Sequence, residues 1–308
     1  MLNSLPTFPR IPFLFLLLGL FSICRTYAQV PPQIGHLVTH LTSNRFLVPE
    51  YAPPSYLLAD DVSLRKCPST NCEVLAQLPI GSALILLEES KDSIIINGIR
   101  SPWYKTKIGG QTGWVWGGMI AQFAFGSQTD PSVKFVAGYE KMVYEDKRWR
   151  TYMQVRAFRK GVQLDKISVR CPAWQFDWVK NLGPCGLKNL SDIIDVGVAC
   201  SGGCGCRGGD LLWAWTGSKF ILMDEQMGTS DGEFSNGSHF IYPTDMDGIP
   251  GTLIKVIRGV NDTESLRAKN KLEQIQTLEF YYWDGEKLVR SGRAPVVKKI
   301  LMDHDFDH

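Results

Sequence analysis

The stretch WYKTKIGGQTGWVW, residues 103–116, decides how this chain is read. WYKTKI and TGWVW alternate aromatic or β-branched residues with polar ones, and the glycine pair before Gln111 supplies a tight turn between them. That pattern predicts a β-hairpin. Working back toward the N-terminus, VSLR (residues 62–65) alternates in the same way, and EVLAQL (73–78) ends at a Pro-Ile-Gly turn. SALILLEE (82–89) reads as a buried run. Five short strands within about 65 residues predict a small barrel.

The same residues resemble the bacterial SH3 (SH3b) family. The similarity rests on Val62 to Arg65, Pro68-Ser69, Leu78 to Gly81, Trp103 to Lys105 and Gly110 to Val115. Two features depart from the family pattern: a long insert, SKDSIIINGIRSP (90–102), and Cys67 in place of a small residue. The resemblance implies a module that binds peptide or cell-wall material and performs no chemistry. Aromatic side chains on such a barrel stack on ligand rings or cover apolar peptide groups, which makes Tyr56, Trp103, Tyr104, Trp114 and Trp116 the candidate ligand-binding residues. Alternation sends some of them inward. Trp116 is expected to be exposed, because it follows the inward-reading pair Trp114-Val115 and leads into Gly117-Gly118.

Upstream of the barrel, Arg10 precedes the apolar run IPFLFLLLGLFSI, and Thr-Tyr-Ala follows at residues 26–28. This is the layout of a secretory signal peptide, residues 1–28. The run is shorter than the ~20 residues a membrane helix needs, so the mature chain is expected to lack a transmembrane anchor and to be secreted or periplasmic. Residues 29–55, rich in proline and short polar residues, read as a loosely ordered lead-in. A formal net charge of +2, with Lys and Arg scattered, argues against nucleic acid as a partner.

Residues 122–134 read as a linker, and 135–308 as a second β-rich domain of unknown function. DLLWAWTGSKFILM and LEFYYWDGEKLVRS share a hairpin template when Trp215 is laid on Trp283, with Thr-Gly and Asp-Gly as two-residue turns. Internal duplication and independent origin both account for the match. ESLRAKNKLEQIQ (264–276) is the one helix-like candidate, with a charged edge strand as the alternative. The fold class expected is all-β: a small SH3-like barrel followed by a disulfide-stapled antiparallel β domain, sandwich or meander.

Of the eight cysteines, Cys24 falls in the leader. The remaining seven, Cys67, Cys72, Cys171, Cys185, Cys200, Cys204 and Cys206, are disulfide candidates in an exported protein. Cys67 and Cys72 bracket the turn-forming PSTN, and a bridge there contributes about 2 kcal/mol. The cluster ACSGGCGCRGGD admits three readings. Cys-Ser-Gly resembles the Asp-Cys-Ser-Gly motif of NlpC/P60 cell-wall peptidases, with Cys200 as nucleophile and His239 as the one available base. However, Ala199 replaces the aspartate, and glycines stand where a helix should begin to lower the thiol pKa. Zinc needs a fourth ligand and favours paired Cys-x2-4-Cys units. Bridges drawing on Cys171, Cys185 and two of the clustered three fit best, since glycine permits the tight turns required. Asp245, Asp247 and Gly248 resemble the start of a calcium loop, yet Ile249 and Val256 occupy ligand positions.

The sequence therefore predicts a secreted, non-enzymatic protein with no catalytic residue, metal or cofactor. Its barrel is expected to bind a peptide, peptidoglycan or an envelope protein. The alternatives are a cell-wall peptidase or amidase using Cys200, and a structural or envelope-assembly protein.

Overall fold

The computed structural model describes residues 37–38, 54–172, 175–199, 207–231, 234–261, 266 and 269–303. The leader, most of the lead-in and the cluster holding Cys200, Cys204 and Cys206 lie outside the described residues. The described chain is almost all β, as its alternation predicts. The barrel comprises β1 (Leu37–Val38), β2 (Ser55–Tyr56), β3 (Val62–Arg65), β4 (Val74–Leu78), β5 (Ala83–Ile96), β6 (Ile99–Ile108) and β7 (Gln111–Trp116). They run in the order β2-β5-β6-β7-β3-β4, with β1 parallel to β6. Leu57, Val62, Leu64, Leu84, Tyr104, Val115 and Ile120 fill the interior. A Leu57–Ile120 bridge and a bond from the Ala121 amide to the Tyr56 carbonyl bring the two ends together. Cys67 and Cys72 form the expected disulfide, Cα atoms 5.8 Å apart.

Next come β8 (Phe123–Gly126), β9 (Val133–Glu145), β10 (Arg148–Arg159) and β11 (Val162–Arg170), a sheet of order β11-β10-β9-β8. Residues 122–134, read from sequence as a linker, thus hold a strand. Phe123 and Phe125 alternate toward the core, and β8 pairs with residues 134–137 of β9. The third sheet is a meander of β12 (Gln175–Gly183), β13 (Asp192–Ala199), β14 (Arg207–Trp215), β15 (Phe220–Asp231), β16 (Phe234–Ile241), β17 (Leu253–Asn261), β18 (Lys271–Trp283) and β19 (Leu288–Arg290). In addition, β20 (Val296–Asp303) pairs with β18. Sandwich and meander are therefore both present: the second sheet packs on one face of the third, and consecutive strands of the third are neighbours.

Between these two sheets lies the main core. Phe135, Val155, Ala157 and Val169 meet Val196, Leu211, Trp215 and Phe220. The rings of Phe135 and Trp215 stand edge to face, centroids 5.7 Å apart, a favoured aromatic geometry. On the other face of the second sheet, Val136 and Phe158 pack against Leu58, Ile80 and Ala121 of the barrel. A second core, on the far side of the third sheet, joins Ile193, Leu212, Ala214, Phe240, Leu253 and Trp283.

Three expectations are corrected. The two hairpins turn through four residues, since Trp215 pairs with Phe220 and Trp283 with Leu288. In each, the first turn amide bonds the fourth carbonyl (Thr216 to Lys219, Asp284 to Lys287), and a positive φ falls on Gly217 and Gly285. Of the two readings of residues 264–276, the strand holds from Lys271 onward, but β18 pairs with both β17 and β20 and so is an interior strand rather than an edge. Cys185 keeps a free thiol. It donates to the Leu182 carbonyl at 3.2 Å, and burial pushes its pKa up to about 11. Cys171 is buried in the main core.

Two aspartates tie the third sheet. Asp192, fully buried, accepts from Ser127 Oγ, the Gln128 amide and Asn181 Nδ2 at 2.5–2.9 Å. It thereby binds the β8–β9 turn to β12. Farther along β13, Asp195 accepts from Lys180 Nζ at 3.0 Å and from Trp178 Nε1 at 3.3 Å. The Asp210 carboxyl lies close enough to Asp195 to feel its charge, and two carboxylates sharing one site oppose each other's ionisation. Burial first, then the Asp195 charge, pushes the Asp210 pKa up to about 6, with Lys180 opposing.

Asp192→Ala strands three donors and is expected to lower stability by about 3 kcal/mol, read as a fall in urea midpoint at unchanged m-value. For Asp210, the native state holds its proton more tightly than the unfolded chain. Its contribution is therefore favourable at low pH and is lost as pH rises from about 4 to about 6. That difference corresponds to about 3 kcal/mol, which partial exposure screens to about 1–2 kcal/mol. Asp210→Asn should flatten the stability profile across this window and exceed wild type at pH 7.5, in denaturant melts at matched salt.

Candidate functional site

A shallow cleft of about 360 Å³ lies on the outside of the barrel, lined by Pro68, residues 88–92, Ile94, Trp103 and Trp114. Three elements build it. The disulfide-closed turn presents Pro68, and Arg65 secures that turn by donating to the Cys72 carbonyl at 2.7 Å. The insert lengthens β5 and β6 into a ribbon whose register slips twice, between Leu86 and Glu88 and between Glu89 and Ser93. Such bulges leave residues unpaired and bend the strand. Ser90 pins the bulge: its Oγ accepts from the Trp103 amide at 2.9 Å and donates to the Asp92 carbonyl at 2.7 Å. Trp114, on β7, lies opposite Lys105 and Arg65 and is half-buried.

Alternation alone would leave a row of indoles on the barrel's outside. Tyr104 pairs with Val115 in the interior, so Trp103 and its partner Trp116 must face outward. Both are nevertheless buried, 3% and 5% exposed, beneath Ile94, Ile96, Ile99, Met119 and Tyr139. Trp116 therefore overturns its expected exposure. Its Nε1 donates to the Ser101 carbonyl at 3.1 Å, and its ring occupies the space where Gly118 lacks a side chain. Tyr104 is a core residue, fully buried. Tyr56 sits at the seam with the second sheet, where Lys134 Nζ lies 5.7 Å from its ring centroid. Of the five candidates, Trp103 and Trp114 line the cleft, Trp116 packs beside them in the buried cluster, and Tyr56 and Tyr104 lie elsewhere.

The cleft's charges come from residues that sequence reasoning missed. Glu88, Glu89 and Asp92 face it with Lys91, all exposed, and Glu88 reaches Lys105 at 3.5 Å. Lys91 and Asp92 were signalled by the insert, a departure from the family pattern, whereas Glu88 and Glu89 end the run read from sequence as buried, in which Ile85 and Leu87 are exposed as well. Chemically, the arrangement offers an indole face, a proline edge and charges of both signs. Cys200, proposed as a nucleophile, lies outside the described residues. His239 stands on β16 opposite Val256, its pKa lowered by burial and by Arg258.

Comparison with known families gives one result: residues 60–121 match the family model described as Bacterial SH3 domain. No curated protein and no solved structure matches the chain. The match spans the strands that form the barrel interior, the disulfide turn and both tryptophans of the cleft. Residues 60–121 are a bacterial SH3 domain.

Proposed function

We propose that this is an exported binding protein without chemistry of its own, whose SH3 domain holds a peptide or a peptide-bearing cell-wall component in the cleft between the insert ribbon and Trp114. The observation that carries the reading is the cleft's composition. Trp114 gives apolar surface, backed by the buried Trp103, Pro68 a rigid edge, and Glu88, Glu89, Asp92 and Lys91 fix charged groups of either sign. A short peptide presents the matching set of amides, apolar side chains and terminal or side-chain charges. Pockets of this kind take affinity from aromatic anchors and orientation from a few polar groups.

Export is supported by the leader-like N-terminus and by the Cys67–Cys72 disulfide, since such bonds persist in oxidising compartments. The β-rich domain from residue 135 onward serves in this reading as the scaffold that holds the SH3 domain and buries its outer tryptophans.

Trp114 and Trp116 separate binding from stability. Trp114→Ala is expected to weaken retention on purified peptidoglycan about 30-fold, equivalent to ~2 kcal/mol, with the thermal midpoint little changed. Trp116→Ala empties a buried site and should cost about 3–5 kcal/mol of stability. Co-sedimentation with sacculi, beside thermal melts of each variant, reads both effects; equal retention of wild type and Trp114→Ala would refute the cleft.

A further inference from the structure

We infer that β20 is the contact strand of a symmetric dimer, in which two copies of this chain join edge to edge in an antiparallel register centred on Leu301. Among the described residues β20 pairs with β18 alone, so the backbone groups along its other side are unmatched. Every residue of β20 is exposed, and five of the eight are large and apolar: Val296, Val297, Ile300, Leu301 and Met302. Sheet edges of that kind recruit further strands.

Symmetry and charge fix the occupant and the register. A two-fold axis perpendicular to the sheet keeps each face continuous, so residues facing each other across the axis must come from the same face. By alternation, Val297, Lys299, Leu301 and Asp303 share one face. Centring on Lys298 or Lys299 places a lysine against its own copy. Centring on Ile300 or Met302 sets Val297 or Leu301 against the partner's Asp303, leaving that carboxylate on an apolar side chain, and centring on Val296 or Val297 pairs at most three residues of β20. Centring on Leu301 sets Lys299 opposite the partner's Asp303, twice, and Leu301 opposite the partner's Leu301. On the other face it sets Ile300 opposite the partner's Met302, while Val296, Val297 and Lys298 fall beyond the end of the partner's β20, so that residues 299–303 form the contact.

Both charged groups are available for this. The Asp303 side chain is 91% exposed and that of Lys299 60%, although each already has a partner on β18, Lys271 and Glu273 respectively. In the dimer these become alternating rows, with Lys299 between Glu273 and the partner's Asp303. Lysines on an edge normally deter pairing with other strands; here Lys299 admits the one strand that brings an aspartate to it. Such a dimer also carries two SH3 clefts, which raises avidity for a polymeric ligand without any new contact.

The test uses the chain from residue 29 onward in sedimentation velocity between about 5 and about 500 µM, a span that brackets the weak-to-moderate affinities expected of a short strand contact. Wild type is run beside Lys299→Glu, Asp303→Lys and a 1:1 mixture of the two variants. Wild type is expected to show concentration-dependent dimer, and each single variant to lose at least about 10-fold in association, because like charges then meet at both ends of the contact. The mixture should regain it. Across such a heterodimer the carboxylate introduced at position 299 faces the ammonium introduced at position 303, and the native Asp303 of one chain faces the native Lys299 of the other. Circular dichroism of each variant checks that β20 stays folded. Wild type remaining monomeric throughout, variants that associate as well as wild type, or a mixture that fails to recover would each overturn the register.

Discussion

The ring of Phe158, on β10, lies against the backbone of Gly81, where an added Cβ would sit 2.0 Å from the ring. Gly81 has a φ of +71°, which suits glycine at the Pro-Ile-Gly turn, and its missing side chain is what admits the phenyl group. Around this contact Leu58, Ile80 and Ala121 of the barrel close on Val136 and Phe158, each larger side chain contributing about 1.5–3 kcal/mol by burial. The next residues along the same strands, Phe135 and Ala157, point the other way into the main core. A sheet that is apolar on both faces cannot be left bare on either, so β9 and β10 require a layer on each side. The barrel supplies one and the long meander the other.

That constraint reaches the cleft. Because the barrel is docked through its Pro-Ile-Gly turn and its C-terminal end, Tyr139 of β9 comes to lie with Ile99, Trp103 and Trp116. The Asn97 carbonyl meanwhile accepts from the Met142 amide at 2.9 Å. The ribbon formed by the insert is thus anchored to the second sheet near its tip and to Ser90 at its base. Held at both ends, it covers two outward tryptophans and leaves the third beside a walled groove. Burial of Trp103 and Trp116 therefore builds the site, and the exposure of Trp114 follows from where the ribbon stops.

What the sequence disclosed was the part governed by neighbours along the chain. Alternation in VSLR and WYKTKI, the turn at Pro79 to Gly81 and the six-residue Cys67–Cys72 loop all declare themselves within about ten residues, and all are present. Strand type was equally legible in the hairpins carrying Trp215 and Trp283, although turn length was not, because the Thr216 hydroxyl and the Asp284 carboxylate each accept the amide three residues on and favour the longer turn. Tertiary cover was invisible. Nothing near Trp116 tells that Ile94 and Tyr139 will shield it, nothing near Phe123 tells that β9 awaits it, and the charges of residues 88–92 become a wall only after two register slips. Trp103, Trp114 and the insert that broke the family pattern were the local signs of the site.

A chain built this way must also manage the edges it creates, for among the described residues each sheet ends in strands with one unmatched side. On β4, the disulfide turn and the Lys66–Glu73 pair close one end of an edge only five residues long. On β11, the edge carries Gln163, Asp165, Lys166, Ser168 and Arg170, and Lys166 and Ser168 are drawn back onto Glu140 of β9, past the intervening strand. Asp165 is occupied as well, accepting the Phe220 amide at 2.7 Å and so stitching this edge to the core beneath it. Polar side chains turned inward in this manner make an edge a poor template for another strand. On β20 the balance differs: apolar residues lie on both faces, and charges of opposite sign stand four positions apart on one of them. An edge of that composition is selective rather than inert, since aggregation with unrelated strands is opposed by its lysines while pairing with its own copy is not. The same alternation that lets β9 face two cores thus leaves, at the far end of the chain, a strand whose second face and second side await a matching surface.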